Sequence, residues 1–238
     1  MNGLIGIVGV IALLIIAGGI LGLCQRDRFA PRWLIAAAGL VLVNDAMLTR
    51  VYGLLPRLMP TLAWNWQGKI MALAVTLLIA ALPAFGWRVS GLTIRQASGT
   101  LASCLSVALL YCLVFAILAH LFPGDQADHE TVAFQLTMPG LEEEPFYRGI
   151  LLFALDRAFA ARWRFLGVDW GWGAVLSCGL FGLAHAFGYA GGAFSFDPLT
   201  MALTALPAFI AVWLRLRSGT VLLPIVLHNF GNSISLLR

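Results

Sequence analysis

The chain reads as an all-α, polytopic membrane protein, a single membrane domain over residues 1–238 folded as a bundle of eight transmembrane helices. Three observations predict this. Hydrophobic residues make up 61% of the 238 residues and charged residues 11%, less than half of the roughly 25% charged in a soluble domain. Eight apolar runs of roughly 17–23 residues recur along the sequence, each long enough to cross a bilayer as a helix. No polar stretch between them exceeds about 20 residues, which leaves no room for a separate soluble domain.

The first run, about Leu4–Cys24, has no basic residue before it and no clear cleavage site, so it reads as a retained span rather than a signal peptide. A basic turn with Arg26, Arg28 and Arg32 follows. The second run, about Trp33–Tyr52, is interrupted by Asn44 and Asp45, which either hold helices together or face a cavity. Pro56, Pro60, Trp64 and Trp66 then mark a loop whose tryptophans suit the lipid headgroup level. The third run is about Ile70–Trp87, followed by Arg88 and Arg95. The fourth is about Leu101–Phe122.

Pro123–Gly140 is the most polar stretch, carrying Asp125, Asp128, His129 and Glu130. Its second half, Thr131–Met138, is expected to be helical until Pro139–Gly140 ends it. The fifth run opens on Glu142–Glu143–Glu144 and extends to about Phe159. Pro145 is expected in its first turn, where a missing N–H costs nothing, and the carboxylates there gain from the positive end of the helix dipole. A loop with Arg162, Trp163, Arg164, Asp169 and Trp170 leads to the sixth run, about Gly171–Ala190, which ends in the flexible pair Gly191–Gly192. The seventh is about Pro198–Leu214 and the eighth about Thr220–Leu237. Asp125 and Asp197–Pro198 read as turn and helix-start residues.

The net charge of +4 does not point to nucleic acid. Odd-numbered loops hold Arg26, Arg28, Arg32, Arg88, Arg95, Arg162, Arg164, Arg215 and Arg217, whereas even-numbered loops hold Arg50, Arg57 and Lys69. The positive-inside rule therefore places the odd loops in the cytoplasm and both termini outside. Cys24, Cys104, Cys112 and Cys178 lie in or beside apolar runs without a C-x-x-C, so neither a disulfide nor a zinc-thiolate site is suggested.

Ionisable groups at membrane depth are costly and mark function by default. Glu144 and Arg148, four apart on a helix, are placed to pair, and Glu143 points about 100° away, free for another partner. Phe181 and His185 are four apart, as are His228 and Asn232. This set offers two hydrolytic arrangements. In one, Glu143 is a general base, His185 holds the water, and His228 and Asn232 donate to the oxyanion. In the other, Glu143, His185 and His228 bind a divalent metal that acidifies its water. His120 reads as structural or interfacial, His129 as solvated, and Glu142 as a helix-start charge near the surface.

Glu143–Glu144–Pro145–Phe146–Tyr147–Arg148–Gly149 resembles the E-E-x-x-x-R-G motif of the CPBP (ABI) family, which contains type II CAAX prenyl endopeptidases and bacteriocin-processing enzymes. Phe181–Gly182–Leu183–Ala184–His185 is similar to its F-x-x-x-H motif, and His228–Asn229–Phe230–Gly231–Asn232 to its H-x-x-x-N motif. The motif-bearing half is about 123–238, and the first four runs match in hydropathy alone. The resemblance implies an eight-helix intramembrane endopeptidase. Glu143 would be its catalytic glutamate, His185 the partner on the water, and His228 with Asn232 the oxyanion hole. Glu144, Arg148 and Phe181 would support the site.

The resemblance further implies no cofactor, with a metal-free mechanism favoured over a divalent ion. Its partners would be the lipid bilayer and a membrane-associated or CAAX-like peptide, not nucleic acid, and its place a multi-pass position in a bacterial inner or plasma membrane. Relatives cut CAAX tails from the cytosolic side, opposite to the face that the charge count gives. A bacteriocin-immunity or membrane-scaffold role without turnover is the alternative. A transporter lacks the inverted pair of broken helices it would need. Ser218–Gly219 lacks the preceding glycine of a rhomboid motif, and Pro123–Gly124–Asp125 lacks the first glycine of a G-x-G-D aspartyl protease.

Overall fold

In the computed structural model, which describes residues 2–51, 54–124 and 126–237, the apolar runs become helices. They are α1 (Asn2–Cys24), α2 (Pro31–Asp45, carried on by a π-helical Ala46–Val51), α3 (Trp66–Ala81) and α4 (Leu101–Leu121). Next come α5 (His129–Glu144), a π-helical Pro145–Leu151, and α6 (Leu152–Ala158), one unbroken helical run. The chain ends with α7 (Trp172–Ala186), α8 (Pro198–Ser218) and α9 (Leu222–Ser233). By length and composition α1, α2 with its extension, α4 and α8 are able to cross a membrane, while α3 and α7 are apolar but shorter. The chain is thus a mostly helical membrane protein. The expected end of the second span at Tyr52 and the helix-start reading of Asp125 lie outside the described residues.

Every residue from Pro145 to Leu151 is buried, and Ile150, Leu151, Ala154, Leu155 and Ala158 have no exposed surface. This rod is the axis of the molecule. Leu14 of α1, Leu34 and Val41 of α2, Cys178 and Leu180 of α7, and Val212 of α8 pack into the same core. The outward faces keep their leucines and isoleucines exposed, as on α4, where Leu109, Leu110 and Leu113 are 58–70% exposed. Such faces suit hydrocarbon as solvent.

The connections sort to two ends. At one end the turn after α1 bonds to the segment after α6, through Ala30 N–H to Ala158 O and Ala160 N–H to Arg28 O. The segment after α3 bonds to the turn after α8, through Ala97 N–H to Ser218 O and Val221 N–H to Gly91 O. Gly219, at φ 77°, ends α8 in the left-handed conformation that glycine adopts without steric cost. At the other end the loop before α3 meets the start of α5, and a hairpin after α7 packs on α1. The odd connections therefore share one end and carry most of the arginines, Arg57 lying in the loop before α3. Lys69 lies in the first turn of α3, just as Arg32 opens α2 and Arg215 and Arg217 close α8, so all four are helix-end residues and not loop residues.

Four expectations are corrected. Pro139–Gly140 does not end a helix: α5 runs through both. Proline removes one backbone donor there, and the next N–H, that of Gly140, is donated to Asn229 Oδ1 of α9 at 2.7 Å, so a neighbouring helix satisfies a backbone group where the helix is interrupted. Pro145 consequently lies mid-run, not in a first turn, and the carboxylates before it have no helix N-terminus beside them. The sixth run stops at Ala186. Beyond it the chain forms a hairpin, β3 (Phe187–Ala190) with β4 (Ala193–Phe196), whose turn is Gly191–Gly192 at φ 60° and 86°. The loop after α6 holds an earlier hairpin, β1 (Trp163–Phe165) with β2 (Val168–Trp170).

Helix starts follow the polar signals. Asp128 caps α5 by accepting the Thr131 N–H at 2.7 Å, which holds its carboxyl below the usual carboxylate range. Asp197 caps α8 by accepting from the N–H groups of Leu199 and Thr200, as its turn position suggested.

Candidate active site

Three helical segments bring the predicted polar residues together. The end of α5 carries Glu142, Glu143 and Glu144, and the π-turn that follows carries Arg148. A π-turn is a frequent feature of functional sites. It is pinned here by Ser177 Oγ, which donates to the Tyr147 carbonyl at 2.7 Å. One end of α7 carries Phe181 and His185, and α9 carries His228 and Asn232. α5 and α9 approach closely because Gly140 has no side chain. A Cβ there would lie 2.6 Å from both Asn229 Oδ1 and the Ile225 carbonyl.

The pair read from the i,i+4 spacing is present. Arg148 Nε lies 3.2 Å from Glu144 Oε2, and both side chains are at most 2% exposed. The Phe181 ring stacks over the guanidinium at 4.1 Å and packs edge-to-face with Tyr147 and His228. Glu144 Oε1 lies 2.7 Å from His228 Nδ1. A carboxylate only accepts, so that nitrogen carries the proton. His228 Nε2 is then turned to Glu143, 3.7 Å from its Oε2. His185 Nδ1 lies 2.8 Å from the Phe181 carbonyl, which fixes the same tautomer and leaves Nε2 with a lone pair. Asn232 Nδ2 donates to Gln135 Oε1 at 3.2 Å and keeps a second hydrogen.

Glu143, Glu144, Arg148, Phe181, His185, His228 and Asn232 all line one cavity of about 540 Å3. Trp64, Tyr111, Phe115 and Phe134 add aromatic walls, and Leu203, Pro207 and Ile210 of α8 an apolar one. Trp64 is stacked on Phe134 at 4.8 Å and is held by Glu130, which accepts the N–H groups of Ala63 and Trp64. His120 and His129 are exposed and stand outside this cavity.

Two members of the site come from the first half of the chain. Lys69 Nζ lies 2.5 Å from Glu143 Oε1 and 2.7 Å from Glu142 Oε2. Asn44 Nδ2 donates to Glu142 Oε1 at 2.8 Å. Glu142 is therefore no surface charge: it is fully buried, with both oxygens engaged. Asn44 is legible as a polar interruption, but Lys69 is not, because it reads as the end of a loop. The signal for it is its place beside Trp64 and Trp66, just ahead of an apolar run that α3 begins early enough to include. Glu143 keeps one oxygen, Oε2, to which no described residue donates a hydrogen bond.

The metal arrangement does not fit these donors. Among the described residues no three His, Cys, Asp or Glu side chains are grouped as ligands for one ion. The ammonium against Glu143 repels a cation from the one carboxylate that would bind it.

Residues 130–234 match the family model described as type II CAAX prenyl endopeptidase Rce1-like. This bears out the resemblance drawn from the three motifs. The matched region begins in the first turn of α5 and ends just past α9, so Asn44 and Lys69 fall outside it. No curated protein and no solved structure matches the chain.

Proposed function

We propose that this chain, with a type II CAAX prenyl endopeptidase match across its second half, is a glutamate-dependent intramembrane endopeptidase. Its substrates are membrane-associated or CAAX-like peptides. The observation that carries the reading is the shared cavity, where an acid, two imidazoles and an amide from three segments face one space. Four helices able to cross a membrane, with the odd connections gathered at the arginine-rich end, favour a multi-pass position, which we place in a bacterial plasma membrane with the shorter helices completing an eight-helix bundle. They also support a site in the half away from the cytoplasm.

The chemistry follows from which atoms are committed. Glu143 Oε1 is held by Lys69, so Oε2 takes the proton from the attacking water. The His185 Nε2 lone pair accepts that water's second hydrogen and orients it. The water oxygen bonds to the peptide carbonyl carbon, and the carbonyl oxygen becomes an oxyanion. Asn232 Nδ2 donates to it, as does His228 Nε2 in the doubly protonated ring. Because His228 already gives its Nδ1–H to Glu144, only that form has a second hydrogen to offer. Glu143 then returns its proton to the leaving nitrogen as the C–N bond breaks. Arg148 and Phe181 hold Glu144 in place throughout. The aromatic and aliphatic walls suit an apolar side chain or lipid group on the peptide.

The test is cleavage of an internally quenched peptide with a farnesylated CAAX end by protein in lipid vesicles. Glu143→Gln and His185→Ala should each lose about 10³-fold in turnover. Wild-type rates in both variants would overturn the reading and favour a non-catalytic scaffold.

A further inference from the structure

The mechanism needs Glu143 to present one oxygen and not the other, and nothing within α5 enforces that choice. Glu142 and Glu143 are adjacent carboxylates in an apolar interior, where like charges repel. A glutamate side chain also has three torsions to order. Lys69 answers both problems. Its ammonium lies between the two carboxylates, at 2.7 Å and 2.5 Å. It contacts only one oxygen of Glu143, and that residue's other oxygen has no hydrogen-bond donor among the described residues. Asn44 holds the far oxygen of Glu142, so the ammonium is braced from α2 through α5. Lys69 also lines the cavity.

We infer that Lys69 is a positioning residue for Glu143, with Glu142 and Asn44 as its frame. This rests on the endopeptidase reading. Lys69 forms no bond to substrate; it fixes the carboxylate so that Oε2 faces the water. A purely structural lysine would affect how much protein folds, whereas a positioning lysine affects turnover by each folded molecule.

Three variants separate these roles, assayed with the farnesylated quenched peptide and normalised to folded protein. Lys69→Met should lower kcat by about 100-fold, the cost of misplacing a reacting group by about 1 Å, with KM within about threefold. Lys69→Arg keeps the charge and two donors and should recover to within about tenfold of wild type. A wild-type kcat in Lys69→Met, or no recovery in Lys69→Arg, would overturn the inference. Glu143→Gln is the control. If it is dead while Lys69→Met is fully active, only the lysine's role falls. If it is active, or wild type does not cleave, the endopeptidase reading falls.

A double-mutant cycle on thermal unfolding tests the contact without any substrate. The melting-temperature losses of Lys69→Met and Glu143→Gln should not add in the double variant. Additive losses would overturn the contact and the inference with it.

Discussion

The helices before His129 and those after it meet at one cavity with different chemistry. From α5, α7 and α9 come groups that exchange protons or donate to a developing charge: Glu143, His185, His228 and Asn232. From α3 comes Lys69, which lines the cavity, and from α2 Asn44, which stands behind it; both side chains hydrogen-bond to carboxylates. The later half thus holds the reactive atoms together with their own braces, Glu144, Arg148 and Phe181, and the earlier half adds a brace on the Glu142–Glu143 pair. The family match covers the first group and not the second. A motif therefore records the reacting atoms and the supports close to them in sequence, and need not record a support that arrives from a distant helix.

That division can be broken most forcefully inside the later half. Arg148→Met removes the cation from a Glu144 that is 1% exposed, which should cost about 3–5 kcal/mol. Thermal unfolding in detergent reads this, and an unchanged melting temperature would mean that the His228 ring, 2.7 Å from Glu144, is counter-charge enough. Asn232→Ala should leave the melting temperature near wild type and lower kcat by about 10²–10³-fold, as expected for one oxyanion donor. A change in KM alone would remove Asn232 from the reacting centre.

The earlier half should respond more weakly, and in stability more than in turnover. Asn44→Ala leaves Glu142 Oε1 without its donor and should cost about 1–3 kcal/mol, with a smaller loss of kcat than Asn232→Ala. A larger loss would show that the two halves share the chemistry more evenly. The smallest effect is expected far from the cavity. The Asp197 carboxyl is held below its usual range by hydrogen bonds from the Thr200 side chain and the N–H groups of Thr200 and Leu199. The stability it adds is therefore present above the ordinary carboxylate range and fades as pH falls through its lowered value. Asp197→Asn keeps the cap but should flatten the dependence of melting temperature on acid pH.

Much of the site is legible because its spacings are local. Glu144 and Arg148 pair at i,i+4, and Phe181–His185 and His228–Asn232 each share a face, so the side of the helix they occupy follows from its period. The polar cost of those residues in an apolar chain indicates that they meet. Lys69 and Asn44 are harder, since their partners lie 73 and 98 residues away and no local period connects them. The helical run through Pro139 and Pro145 escapes a local reading for a related reason. A proline breaks a helix when water is the alternative partner, but here Asn229 of another helix takes the Gly140 N–H. The hairpin after α7 is hidden by its apolar residues, which extend the hydrophobic run past its last helical turn.

The lysine's long-range pairing has a consequence for biogenesis. α3 is synthesised before Glu142 and Glu143, and at roughly 5–20 residues per second the wait is on the order of ten seconds. For that interval the nascent helix carries an unneutralised ammonium near its leading end, where the adjoining tryptophans favour the headgroup region. In chains whose four native cysteines are replaced by serine, ribosome-bound Lys69→Cys forms truncated just before the three glutamates should therefore leave the thiol open to a water-soluble maleimide. Chains extended past α9 should shield it. Assembly of this pocket is thus a timed capture, in which an early helix waits at the water's edge for a counter-charge still inside the ribosome.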